Sequence, residues 1–397
     1  MTETTFPPLA DGLEPGLVAP VARAPGRRQA ALGTHCEISG QTARRQRFEL
    51  QGVARDWLKN TLNPKGKPWR TVNCSWAATS SQGVAVVQNA RTGRAQYAGL
   101  QRCGSLSLCP VCAARISEVR RVEIEAAMAV HTAAGGHAIM VTWTHSHSRR
   151  DALADLIEGE RVALEVMTAH RRYKAIVAEL GVVGVIRARE VTYGEAHAWH
   201  PHLHDLWLIA AMPTPQRMTE IRAELFALWL QACAAAGLPL PNEAHGVSVE
   251  HALSAAQYLA KYDRATKWGT GRELSKANSK RGHDGRYTPF DLLRGVGGMP
   301  EHRARELWAE YAAAMYGARI LTWSRGLKAA LCIAEVKDDE LVSTETTEEP
   351  HSLTALIDPA DWRRVLLARA RSVVLDVAEL GGSSAVRAFL VQLRASG

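Results

Sequence analysis

Residues 199–209 read WHPHLHDLWLI, and this run limits what the chain can fold into more than any other. Side chains alternate between the two faces of a strand. His202 and His204 therefore share one face, while Leu203 between them points into a core. Pro201 and the apolar residues 206–211 make a buried strand credible here. Two neutral imidazoles aimed at one point can hold a divalent metal; two histidines falling together in a strand by chance is the bland alternative. Two imidazoles alone hold a metal weakly, so a third ligand is expected. Residues 182–193 also read as a strand. If they form a hairpin with residues 201–211, a register placing Glu190 opposite His202 or His204 brings a carboxylate to the imidazoles. Two nitrogens and one oxygen leave positions open, which suits Mg²⁺ or Mn²⁺ polarising a phosphoryl oxygen. A solvated strand glutamate is the alternative for Glu190. His200 is the rival third ligand, and His145 and His147 read as loop residues near the site.

The chain has 397 residues, of which 46% are hydrophobic and 22% charged. That is soluble globular composition, with room for two or three domains. Its net charge of +8 and pI near 9.2 tilt it toward polyanionic partners. No apolar run reaches membrane-spanning length, and the first residues lack a signal-peptide pattern, so a cytoplasmic protein without membrane contact is expected. Residues 1–45, rich in Pro, Gly, Ala and Arg, read as a disordered arm, with a short helix from 44 to 59. A cysteine-bearing module and helix occupy residues 46–134. Residues 135–332 alternate strands at 137–144, 182–193, 201–211 and 246–249 with helices at 153–180, 213–237, 254–267 and 301–316. Residues 333–350 form an acidic, solvated linker, and residues 351–397 a helical C-terminal appendage. The expected class is α+β, helices packed on an antiparallel sheet.

Cys103, Cys109 and Cys112 have the spacing of a partial zinc site, and Cys74 across a hairpin (84–88 with 94–100) would complete a zinc-ribbon-like module. A redox Cys-Pro-Val-Cys pair at a helix N-terminus, or unliganded thiols, are the alternatives. Downstream, Tyr258 and Tyr262 stand four residues apart, so both phenols leave one helix face, with Lys261 beside Tyr262. On physical grounds alone an ordinary amphipathic helix with two core aromatics is the better account of them. Residues 263–286 are a basic stretch holding Arg264, Lys267, Trp268, Arg272, Lys276, Lys280 and Arg281, with Tyr287 just beyond. Cations with flanking aromatics fit a single-stranded nucleic acid; a solvated positive loop is the alternative.

Thr142-Trp143-Thr144 closing a buried strand, then His200-Pro201-His202-Leu203-His204, then Tyr258-Leu259-Ala260-Lys261-Tyr262 form an ordered pattern. It resembles the rolling-circle replication initiators, the Rep proteins of the HUH endonuclease superfamily, in the branch of small bacterial plasmids. Residues 109–116, 189–194, 288–293 and 321–327 resemble further motifs of that branch, and the likeness runs from about residue 74 to 331. It implies an HUH nickase domain over 135–332, with His202 and His204 holding the cation that positions the scissile phosphate. Tyr262 would attack that phosphate, giving a 5′-phosphotyrosine and a 3′-hydroxyl that primes synthesis. Many plasmid members carry a glutamate four residues before the tyrosine. Here Tyr258 stands there, as in the two-tyrosine initiators of some phages, leaving open whether termination is hydrolytic or a second transfer. Implied partners are single-stranded and hairpin origin DNA, a host helicase and a DNA polymerase. The competing readings are a transposase or relaxase of the same superfamily, and a non-catalytic zinc-dependent DNA-binding regulator.

Overall fold

The computed structural model describes residues 35–252, 286–343 and 351–396. Its centre is the expected hairpin. β4 (Gly184–Gly194) and β5 (Ala198–Ile209) pair antiparallel along their whole length, from Gly184 opposite Leu208 to Gly194 opposite Ala198. β3 (His137–Trp143) lies on the other side of β5, and β6 (Val247–His251) flanks β3. β7 (Arg286–Tyr287) and β8 (Leu321–Trp323) both pair with β4, completing a six-stranded antiparallel sheet. Here β1 (Val84–Asn89), β2 (Ala95–Ala98) and β9 (His351–Ile357) form a separate three-stranded sheet.

Parity gives the six-stranded sheet two different faces. One carries Trp143 and Trp207, which pack on Trp229 of a helix over Pro215–Ala235 and on Tyr173 of a helix over Arg171–Glu179. The other carries Thr142, Glu190, His202 and His204. Among the helices, α1 (His35–Leu58), α2 (Pro110–Ala133) and α3 (Leu153–Ala169) precede the hairpin. α3 buries Leu153, Leu156, Ile157, Ala163, Leu164 and Met167, an i, i+3, i+4 stripe that turns its apolar side to the core. α2 starts at Pro110, whose missing N–H costs nothing at a first helical position. It stops at Gly135-Gly136, where the ring of His131 bonds the carbonyls of His137 and Ile209. A Cβ on Gly136 would sit 2.3 Å from that ring.

Three expectations change. Residues 351–397 are not a free helical appendage: β9 pairs with β1, and α5 (Pro359–Leu367) and α6 (Arg371–Ala395), taking α4 as Pro215–Ala235, cover the small sheet. Val84, Val86 and Tyr97 share a second core with Ile357, Trp362, Val374 and Leu390. Of the linker expected over 333–350, the described part is not wholly solvated: Asp338 accepts from Arg120 at 2.6 Å and opens a short helix, Asp338–Ser343. Residues 35–45, assigned to a disordered arm, begin α1.

Candidate metal centres

The β4–β5 ladder places Glu190 directly opposite His202. Glu190 Oε2 lies 3.0 Å from His202 Nε2 and 3.2 Å from His204 Nε2. His204 is oriented from behind, its Nδ1 3.0 Å from Thr142 Oγ1 on β3. With that side of the ring engaged by a hydroxyl, Nε2 is the nitrogen turned to the carboxylate. The three side chains are 7–13% exposed, sunk but open on one side. Burial by itself would raise the Glu190 carboxyl. Hydrogen bonds to His202 and His204 outweigh burial and hold it well below the usual carboxylate range. One carboxylate oxygen and two imidazole nitrogens converging within 4.8 Å are a donor set that fits a divalent cation with positions left open.

His200, the rival third ligand, turns elsewhere. Its Nδ1 faces His147 Nδ1 at 3.2 Å, although its ring lies tilted against that of His202, with centroids 4.9 Å apart. Burial, reinforced by His202, His147 and Arg286, pulls its pKa down to about 3, so the ring is neutral at ordinary pH. His145 pairs instead with buried Glu160 at 3.4 Å. Beside the triad, a cleft of about 500 Å³ is lined by His147, Thr192, His197, His200 and Arg286.

Sequence reasoning passed over the groups that hold this surface in place. Asp205 is fully buried on the opposite face from the histidines. It accepts from Arg187 at 2.7 Å through both oxygens and from Trp143 Nε1 at 2.9 Å. The signal was available: an aspartate inside an apolar strand needs a buried cation. Glu160, inside the apolar stripe of α3, likewise pairs with Arg189 at 3.2 Å. Thr142 was singled out only as part of the Thr-Trp-Thr motif; its contact with His204 depends on the β3–β5 register.

Cys74, Cys103, Cys109 and Cys112 come together in the interior. Cys74 Sγ lies 3.4 Å from both Cys109 Sγ and Cys112 Sγ, and Cys103 Sγ 3.8 Å from Cys112 Sγ. Four sulfurs bound at about 2.3 Å around a tetrahedral zinc would stand roughly 3.8 Å apart. The cluster therefore fits a closed tetrathiolate centre, and the described cysteines form no disulfide. Hydrogen bonds from Cys103, Cys109 and Cys112 hold the Cys74 thiol far below its ordinary range. The redox alternative needs two isolated sulfurs, whereas Cys109 and Cys112 share their site with two more. Cys233 is separate; burial pushes its thiol up to about 12.

Tyr258, Lys261, Tyr262, Arg264, Lys267, Trp268, Arg272, Lys276, Lys280 and Arg281 lie outside the described residues, as does the helix expected over 254–267. The described chain leaves the large sheet after β6 and rejoins it at β7, on the opposite edge. Tyr287, expected to serve as a stacking platform, is buried and donates to Glu195 Oε1 at 3.0 Å. Its ring is not offered to a base.

Over 310 residues the chain is 30% identical to a protein named "Protein rep" from Streptomyces lividans, a match spanning 63% of this chain and 68% of that one. It is 33% identical over 149 residues to a neomycin resistance protein from Streptomyces cyanogenus, spanning 32% of this chain and 34% of the other. No protein-family model matches the chain, and no solved structure matches it. No described helix is long and apolar enough to cross a membrane. With about two-thirds of each chain aligned to the Streptomyces lividans protein, the chain belongs to the Rep family of plasmid replication proteins.

Proposed function

We propose that this protein nicks one DNA strand at a plasmid origin and holds it as a 5′-phosphotyrosine, starting rolling-circle replication by the HUH chemistry its motifs resemble. The observation that carries this reading is the convergence of Glu190, His202 and His204 on an open sheet face, in a chain related to Rep. A divalent cation there, Mg²⁺ or Mn²⁺, would neutralise a phosphate oxygen and make the phosphorus more electrophilic. His202 and His204 would hold such an ion through their imidazoles, and Glu190 would supply the anionic oxygen. Thr142 keeps the His204 ring at the right tilt.

Tyr262 is the proposed nucleophile, with Lys261 lowering the cost of its phenolate. Its oxygen forms the bond to phosphorus. The 3′ oxygen leaves with the bonding electron pair, takes up a proton, and becomes the primer terminus. Tyr258 is proposed to receive the strand at closure. Arg264, Lys267, Trp268, Arg272, Lys276, Lys280 and Arg281 are proposed to hold the unpaired strand by charge and stacking. A zinc ion in the Cys74, Cys103, Cys109 and Cys112 cluster would be structural. Origin DNA, unpaired or as a hairpin, is the proposed partner, with a host helicase and polymerase following in the cytoplasm. A regulator that only binds DNA would have no use for an open cluster of imidazoles and a carboxylate.

The test is incubation with single-stranded origin oligonucleotides and Mn²⁺. The expected product is a covalent protein–DNA adduct, absent with Tyr262→Phe and with chelator. Tyr258→Phe should leave the first nick intact and impair closure. Failure to form an adduct on any origin-bearing strand would instead favour the regulator.

A further inference from the structure

Arg371 is a buried cation with no carboxylate partner among the described residues. It is 4% exposed, at the start of α6. Its Nη1 donates to Gln51 Oε1 at 2.6 Å and to the Ser75 carbonyl at 3.0 Å, and its Nη2 to the Phe48 carbonyl at 2.9 Å. All three acceptors are neutral. The guanidinium lies between the rings of Phe48 and Trp76, 4.9 and 5.0 Å from their centroids. The neighbouring Arg55, 4.0 Å from the centroid of the Trp76 ring, pairs with Asp56.

An unpaired buried charge is costly, and proteins keep one when a compensating charge stands nearby. What stands nearby is the cysteine cluster. Ser75 follows Cys74 directly, and the same Gln51 that accepts from Arg371 donates its Nε2 to the Cys74 carbonyl at 2.7 Å. Burial pulls the Arg371 guanidinium down, and Tyr97, Cys109 and Cys74 oppose that shift. Four thiolates around one divalent ion carry two excess negative charges, and Arg371 would offset one of them.

We propose that Arg371 is a positioning residue for the four-cysteine metal centre. It supplies the positive charge that the tetrathiolate requires and ties the C-terminal unit, residues 351–396, to metal loading. The proposal rests on the structural-zinc reading above. Its consequence is directional. With metal bound, Arg371 has an anionic neighbour and α6 is held against α1 and the small sheet. Without metal, Arg371 loses that neighbour, the Cys74–Ser75 segment it bonds is no longer pinned, and the C-terminal unit loosens.

The test uses the full-length protein. Zinc content is measured first, then zinc affinity by competition with a chromophoric chelator. Arg371→Met should weaken zinc binding by about 10–100-fold, the usual cost of losing an outer partner of a metal ligand. Arg371→Lys keeps the charge and loses the planar fork, so it should retain most of the affinity. A packing role alone would weaken both variants equally, and unchanged affinity in Arg371→Met would overturn the proposal. A second measurement needs no variant. Stripping zinc from the wild type should raise amide hydrogen exchange across residues 371–390, and adding zinc should reverse it; exchange that ignores the metal would also overturn it. Wild-type protein that binds no zinc would remove the structural-zinc reading itself.

Discussion

At the scale of single residues, the site is built by groups behind the ligands. Thr142→Val removes the hydroxyl that fixes His204 while keeping shape. Mn²⁺ affinity measured by calorimetry should fall about tenfold, with the melting temperature almost unchanged. His202→Ala should abolish adduct formation and leave the circular dichroism spectrum intact, because the ring is at the open side of the sheet. A mutant that fails to fold would give His202 a structural role instead. Asp205→Asn should behave in the opposite way. It leaves the Arg187 guanidinium without its anion beside a fully buried position, so urea unfolding should show a loss of about 3 kcal/mol. The histidine pair was legible because alternation alone assigns a shared face. Glu190 was legible as one of several partners, since its distance from His202 depends on the pairing register. Thr142 was legible only as a motif residue, because hydroxyls occur in strands everywhere and only the pairing of β3 with β5 sets this one behind His204.

Elements show where periodicity ran out as a guide. The β4–β5 hairpin and the stripe of α3 could be read directly, because each has a face that water excludes. β9 could not. Its Leu353 and Leu356 are exposed, so it lacks the clean inside–outside alternation that marks a strand, and its partner β1 lies far away in sequence. What holds the C-terminal unit in place is partly ionic, and this gives a pH prediction. Arg44 of α1 donates to both Glu379 oxygens, at 2.8 and 2.6 Å, and the Ala95 N–H of β2 donates at 2.8 Å. Burial by itself would raise the Glu379 carboxyl; Arg44 and Ala95 outweigh it and hold it below the ordinary range. A depressed folded value favours the charged form. The stabilisation is therefore complete above the unfolded value of about 4.3 and is lost as pH falls through the folded value. Denaturant midpoints from pH 7 down to 3 should show the gap between wild type and Glu379→Gln narrowing on acidification. A constant gap would refute the linkage.

For the whole molecule, two cores and two candidate metal centres divide the labour. One core runs under the large sheet, and the other joins the β1–β2 hairpin to the C-terminal helices. Cys112→Ser should lower the melting temperature and zinc content together, since a missing thiolate opens a buried centre. Loss of zinc without loss of stability would mean the cluster is not structural. Binding to single-stranded DNA should weaken about tenfold or more between 50 and 200 mM salt, as expected when counterion release drives association; a flat salt profile would argue against phosphate contacts. By itself the sequence determined the α+β class, the shared strand face of His202 and His204 and the cysteine spacing, because these depend on local alternation and on which atoms a side chain carries. Tertiary structure alone decided that Glu190 meets both imidazoles, that Asp205 anchors Arg187, and that residues 351–396 cover the small sheet and bring the buried Arg371 against α1. Those outcomes depend on strand order and register between distant segments, where many pairings satisfy the same hydrophobic pattern and the packing of the whole chain selects one.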